Sequence, residues 1–111
     1  MKSLIKNITY NQISAGSILT KNYTAILFYN ESSAGSYLTE LSLNEIINDF
    51  SDIVSIYKIN QIGNEELSKK YNLPEEAVIM FYKNQTLIDL IPGIISKDEI
   101  KTIFKNLINN N

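Results

Sequence analysis

Cysteine and histidine are both absent from this 111-residue chain, and so is tryptophan. Disulfide exchange needs a thiolate that attacks sulfur, so a chain without cysteine cannot perform it. Zinc, copper, haem and iron–sulfur centres draw mainly on thiolate or imidazole ligands, and no cofactor of those kinds is expected. Histidine-assisted nucleophilic catalysis is excluded on the same ground. Carboxylates remain as magnesium or calcium ligands, but no spaced cluster of aspartates offers a site.

Positive charge is scarce as well. Ten basic residues stand against twelve acidic ones, giving a net charge of −2. No run of lysines forms a stripe that could meet a row of phosphates, so no nucleic acid partner is expected. No apolar stretch approaches the roughly 20 residues of a membrane-spanning helix. The opening Met1-Lys2-Ser3-Leu4-Ile5-Lys6-Asn7 lacks the roughly 7–15-residue apolar block of a signal peptide. The expectation is a cytoplasmic protein with no membrane partner. The length suits one compact domain, and 44 % hydrophobic residues can build its core.

The apolar pattern marks out the elements. Ala25-Ile26-Leu27-Phe28-Tyr29 is a continuous apolar run, as in a strand buried on both faces. Ile53-Val54-Ser55-Ile56-Tyr57-Lys58-Ile59 is β-branched and aromatic, with the same reading. Between them Leu43, Ile46, Ile47 and Phe50 recur at the spacing of one helix face, so the stretch predicts a βαβ unit with parallel strands. Asn64 is placed to cap a short helix through Glu65, Glu66, Leu67 and Tyr71. Ala77-Val78-Ile79-Met80-Phe81-Tyr82 and Thr86-Leu87-Ile88-Asp89-Leu90-Ile91 read as strands. The polar turn Lys83-Asn84-Gln85 joins them, and so short a turn makes them antiparallel. Pro92-Gly93 ends the second.

Ser96-Lys97-Asp98-Glu99 is a capping box, and Ile100, Ile103, Phe104, Leu107 and Ile108 form one apolar stripe behind it. Asn109-Asn110-Asn111 is a polar tail expected to fray. Residues 3–8 predict a first strand and residues 10–18 a first helix, with Gly16 weakening the latter. The element order becomes β, α, β, α, β, α, β, β, α. It describes an α/β fold with a mixed five-stranded sheet flanked by four helices.

Several segments resemble the thioredoxin-like family across nearly the whole chain. Phe28-Tyr29-Asn30-Glu31-Ser32-Ser33-Ala34-Gly35-Ser36 is similar to that family's strand end and active-site turn, F-W-A-x-W-C-G-P-C. Lys58-Ile59-Asn60 through Asn64-Glu65-Glu66-Leu67-Ser68-Lys69-Lys70-Tyr71 resembles its K-V-D-V-D-x-N-P-x-L-A-x-x-Y run. Phe81-Tyr82-Lys83-Asn84 resembles L-F-K-N-G, and Gly93 followed by Ile100 matches its G-x-x-x-x-x-x-L ending. The resemblance implies a thioredoxin-like fold over residues 1–111, with the active-site turn at the start of the second helix.

It also locates what has gone. The family's two cysteines fall on Ser33 and Ser36, the tryptophan before them on Ser32, and its buried acid on Leu27. Its cis-proline falls near Ala77, after Glu76, while Pro74 sits three residues early and could serve only if that loop were rebuilt. A hydroxyl is a poor replacement for a thiol because it needs a base, and no histidine is present to act as one. The implied function is redox-inactive binding of another protein. The binding groove would comprise Tyr29, Ser32, Ser33, Ala34, Gly35, Ser36, Pro74, Glu76, Ala77 and Gly93, with no catalytic residue and no cofactor. The alternative is a thiol–disulfide oxidoreductase whose two cysteines were replaced by serine.

Plainer readings stand beside these. Ser33-Ala34-Gly35-Ser36 repeats Ser14-Ala15-Gly16-Ser17, and such small residues suit a turn or a helix start without further purpose. Either Tyr10, Tyr29, Tyr37 and Tyr82 cluster near the groove, or Tyr29 and Tyr82 simply pack at strand ends. Glu75-Glu76 either faces a cationic partner or is a solvated loop. An assembly through the sheet edge or a tyrosine-bearing surface is a third functional class.

Overall fold

The computed structural model describes residues 3–19, 22–74 and 76–110. Its elements are β1 (Lys6–Asn7), α1 (Tyr10–Ser14), β2 (Tyr23–Tyr29), α2 (Ala34–Phe50), β3 (Val54–Asn60), α3 (Glu65–Tyr71), β4 (Val78–Lys83), β5 (Thr86–Pro92) and α4 (Lys97–Asn109). The strands form one mixed five-stranded sheet in the order β1-β3-β2-β4-β5. β3 runs parallel to β1 and β2, whereas β4 is antiparallel to β2 and β5 to β4.

Burial follows from that order. β2 lies at the centre and all seven of its residues are buried, as its unbroken apolar run requires. Successive side chains point to opposite faces of the sheet. Ala25 and Leu27 join a core with Leu43, Ile46 and Phe50 of α2 and Ile100 and Phe104 of α4. Ile26 and Phe28 join a second core with Ile13 of α1 and Leu67 of α3. The sheet is thus the middle layer of three. Lys97 reaches Glu45 at 3.5 Å and Lys101 reaches Asp49 at 3.2 Å, tying α4 to α2 along their exposed sides. Pairs this exposed add little free energy but help to hold the two helices in register.

α4 forms where the sequence places it. The Ser96 hydroxyl accepts from the Glu99 amide at 3.3 Å, and the Glu99 carboxylate reaches back to Ser96. Asn109 belongs to this helix, and Asn111 of the expected tail lies outside the described residues. The β4–β5 turn is tighter than predicted, with Asn84 in the left-handed region at φ 53°. β5 runs one residue further than its alternation implied, with Pro92 pairing Val78 at the end of the ladder. A register shift opposite Phe81 and Tyr82 bends that edge strand, and Asp89 accepts from the Leu90 amide at 2.9 Å. Both features blunt an exposed sheet edge.

The N-terminal predictions are corrected. Only Lys6 and Asn7 of the expected first strand pair with β3. The chain before them is drawn toward α2, where Asn44 Oδ1 accepts from the Leu4 amide at 2.7 Å and Asn44 Nδ2 donates to Ser3 Oγ at 3.1 Å. α1 ends at Ser14, four residues early, because Gly16 turns the chain at φ 72°. Asn64 occupies the N-cap of α3 but makes no capping bond. Its Oδ1 accepts from the Tyr10 amide at 3.2 Å instead, and its Nδ2 donates to the Asn60 carbonyl at 2.9 Å. Glu65 takes up the neighbouring amide of Gly63 at 3.0 Å, and that bond holds its carboxyl below the usual carboxylate range.

Thr24 and Tyr82 face one another across β2 and β4, both almost fully buried. The Thr24 hydroxyl has no hydrogen-bond partner among the described residues. Burial first, and then its neighbour Tyr71, keep the Tyr82 phenol protonated far above its ordinary pKa. Burying an unpartnered hydroxyl is unfavourable, and an isosteric apolar side chain removes the penalty. Thr24→Val is therefore expected to raise stability by about 1 kcal/mol, seen as a higher urea midpoint with an unchanged slope.

Among the described residues no helix is long and apolar enough to cross a membrane.

Candidate functional site

β2 and β3 end side by side, with Tyr29 paired to Asn60, and the chain leaving β2 turns directly into α2. The turn is held by its own polar side chains. Asn30 Oδ1 accepts from the Ser32 amide at 2.9 Å, and the Asn30 carbonyl accepts from the Ser33 amide at 3.0 Å. Ser33 is the N-cap of α2, its hydroxyl oxygen accepting from the Ser36 amide at 3.2 Å. Ser36 is 2 % exposed, and its hydroxyl oxygen accepts from the Asn30 amide at 3.0 Å. Both serines of the resemblance thus hold backbone, one as a helix cap and the other as a strut across the turn.

A second layer of contacts fixes this turn to the end of the sheet. Thr39, 1 % exposed on the next turn of α2, donates to the Gly93 carbonyl at 3.3 Å and accepts from the Ile95 amide at 3.4 Å. Gly93, at φ 95°, donates its amide to the Ala77 carbonyl at 2.9 Å. A side chain on Gly35 would come within 2.9 Å of Ile94, so the β5–α4 connection lies directly on the first turn of α2. Thr39→Val would leave the Gly93 carbonyl and the Ile95 amide without their partner at nearly constant shape. The expected cost is about 1–3 kcal/mol, checked by chemical denaturation.

Beside the turn lies a polar cleft of about 290 Å³, lined by Asn7, Tyr29, Asn30, Glu31, Ser33, Tyr37, Glu40 and Lys58. Lys58 sits in its wall at 2.9 Å from Glu40, with both side chains more than four-fifths buried. The Lys58 ammonium also lies 5.3 Å from the centre of the Tyr29 ring. The Tyr29 hydroxyl donates to Asn7 Oδ1 at 2.8 Å, so β1, β2, β3 and α2 each supply one member of a continuous network. Glu31 accepts from Asn60 Nδ2 at 3.3 Å at the rim.

Of the residues singled out from the sequence, Tyr29, Ser33, Gly35, Ser36, Ala77 and Gly93 come together at this end. Ser32 and Ala34 are exposed on the turn itself. Glu76 is exposed and accepts at its carbonyl from Gln61 Nε2 at 3.3 Å, while the Gln61 amide donates to the Tyr29 carbonyl at 2.8 Å. Pro74 is exposed, and none of the peptide bonds among the described residues is cis. Neither Pro74 nor Ala77 therefore provides the cis-proline of the resemblance here. Glu75 lies outside the described residues.

The expected tyrosine cluster divides between the two faces of the sheet. Tyr29 and Tyr37 line the cleft, whereas Tyr10 and Tyr82 belong to the layer of α1 and α3. The alternation of β2 and β4 sends Tyr29 to one face and Tyr82 to the other.

Lys58, Glu40, Asn7 and Thr39 were not picked out from the sequence. Lys58 left a trace, since it shares with Val54 and Ile56 the alternation that faces α2. A charge at such a position requires a partner. Around the same end, Ile62, Ile94 and Tyr37 are 70 %, 65 % and 63 % exposed, large side chains on two separate connections and on the first turn of α2. No protein-family model matches the chain.

Proposed function

We propose that this chain is a redox-inactive, thioredoxin-like protein that binds another protein at the end of the sheet where α2 begins. The reading draws on the order of elements, on the position of the Ser33–Ser36 turn at the start of the second helix, and on the sequence resemblance. The observation that carries it is a division of labour at that end. The two serine hydroxyls are engaged with backbone, while Ile62, Ile94 and Tyr37 stand exposed around them. Large exposed apolar side chains at one end of a sheet are candidates for a contact with another protein. The contact surface would be the turn at residues 32–36, the loop at residues 73–77, the connection carrying Gly93 and Ile94, and Ile62 on the connection after β3.

Two measurements test this. An insulin-reduction assay is expected to show no turnover above the uncatalysed rate, and measurable turnover would refute redox inactivity. Crosslinking in cell extract with the intact chain and with Ile62→Asp/Ile94→Asp should yield a partner, identified by mass spectrometry, that only the intact chain retains. Equal recovery by both would place binding elsewhere. The second reading, an oxidoreductase with both cysteines exchanged, is favoured by one feature, the placing of Ser33 at a helix N-terminus where a thiolate would be stabilised. The codons of the natural gene at positions 33 and 36 separate the two.

A further inference from the structure

The cleft beside the turn carries a sign. Among its lining residues Glu31 and Glu40 are negative and Lys58 is positive. Lys58 is already committed to the wall, 2.9 Å from Glu40 Oε2 and 5.3 Å from the Tyr29 ring centre. The acceptor oxygens of both asparagines are also taken, Asn7 Oδ1 by the Tyr29 hydroxyl and Asn30 Oδ1 by the Ser32 amide. Glu31 uses one oxygen for Asn60 and Glu40 one for Lys58, so each carboxylate keeps a second oxygen outside those bonds. Tyr37 adds an exposed aromatic face at the rim. A carboxylate entering this cleft would meet two others. A cation would meet Glu31, the second oxygen of Glu40 and an aromatic ring, the kinds of group, one carboxylate and one ring, that already hold the Lys58 ammonium.

We propose that the cleft receives a lysine or arginine side chain of the protein partner, with its charge held by Glu31 and Glu40 and its stem laid along Tyr37. This rests on reading the chain as a protein-binding module, and it names the chemistry of one anchor. A cleft of about 290 Å³ that is open at the rim suits a single long side chain rather than a free cofactor. Nothing in the proposal involves the serine hydroxyls, which stay with the backbone.

The test uses N-acetyl-L-arginine methylamide as probe, with N-acetyl-L-glutamate methylamide as its opposite, in amide chemical-shift titrations of the whole chain. The arginine probe is expected to give saturable shifts centred on Asn7, Asn30, Ser33 and Tyr37, weakening as salt is added. The glutamate probe is expected to give none. Glu31→Gln, at an exposed position that leaves the Lys58–Glu40 pair intact, should weaken the arginine probe by about threefold to fivefold. Tyr37→Ala should weaken it independently of that pair. Absence of saturable arginine shifts, an equal response to glutamate, or indifference to both substitutions would overturn the proposal. If the probe fails while Ile62→Asp/Ile94→Asp still abolishes partner recovery, the cationic anchor alone falls. If the probe binds and no partner is recovered, the cleft stands and the protein-binding reading falls.

Discussion

Phe104→Ala is expected to lower the free energy of unfolding by about 3–5 kcal/mol, the largest loss from any single side chain considered. Phe104 is fully buried on α4, with its ring 4.9 Å from that of Phe81 in β4 and 5.4 Å, edge-on, from that of Phe50 at the end of α2. It is the point where the second and fourth helices and the sheet meet, its ring packing against both Phe50 and Phe81. Truncation removes the transfer free energy of the ring, leaves a cavity, and forfeits two aromatic contacts. A domain of this length has only about 5–15 kcal/mol in total, so the loss is a large fraction of its stability. Thermal unfolding should shift down by more than about 10 °C. Phe104→Leu, which keeps most of the volume, should cost markedly less. A shift of a few degrees in Phe104→Ala would mean that α4 is not integral to the core.

The contrast between α4 and the N-terminal segment shows which physical signals a sequence carries. α4 is specified locally, because Ser96 and Glu99 cap each other within one turn and the apolar stripe needs only a helix to align it. β2 is equally legible, since a central strand must be apolar on both faces. β1 is not, because its length is decided by Asn44, about forty residues away, which claims the Leu4 amide before the sheet can. The cap of α3 fails in the same way. Asn64 has the right chemistry for its own helix, but the Tyr10 amide, 54 residues distant in the chain, takes its oxygen.

The candidate site divides along the same line. The turn at Ser33 and Ser36 could be read because its bonds stay within six residues. The cleft could not, because Lys58 meets Glu40 across 18 residues and Tyr29 meets Asn7 across 22. Such distances are set by strand pairing, and no periodicity in the sequence encodes them. Only the lysine on an otherwise apolar strand face hinted that a buried partner existed.

Ser33→Cys is expected to produce a thiol with a depressed pKa, the helix terminus outweighing the carboxylates of Glu31 and Glu40 that line the same cleft. Residue 33 caps a helix of 17 residues, its side chain accepts from the Ser36 amide, and the first turn of that helix holds no acidic residue. A thiolate placed there gains the amide hydrogen bond and the positive end of the helix dipole, which bring such groups from ~8.5 to at or below about 7.5. A lowered folded-state pKa means that the anion is populated at neutral pH. Alkylation by iodoacetamide, followed by mass spectrometry across pH, should therefore show its inflection at or below about pH 7.5. The stabilisation from the folded thiolate should be complete above the unfolded pKa and be lost as pH falls through the folded one. Ser36→Cys makes the opposite control, because a side chain 2 % exposed reacts slowly whatever its charge. An inflection for Ser33→Cys at or above 8.5 would show that this terminus offers a thiolate nothing, and would remove the feature favouring the oxidoreductase reading. A low inflection would instead show that the helix supplies a field of the kind that stabilises a thiolate. On the proposed reading, redox inactivity would then reside in the absence of sulfur and in Leu27, which cannot accept a proton.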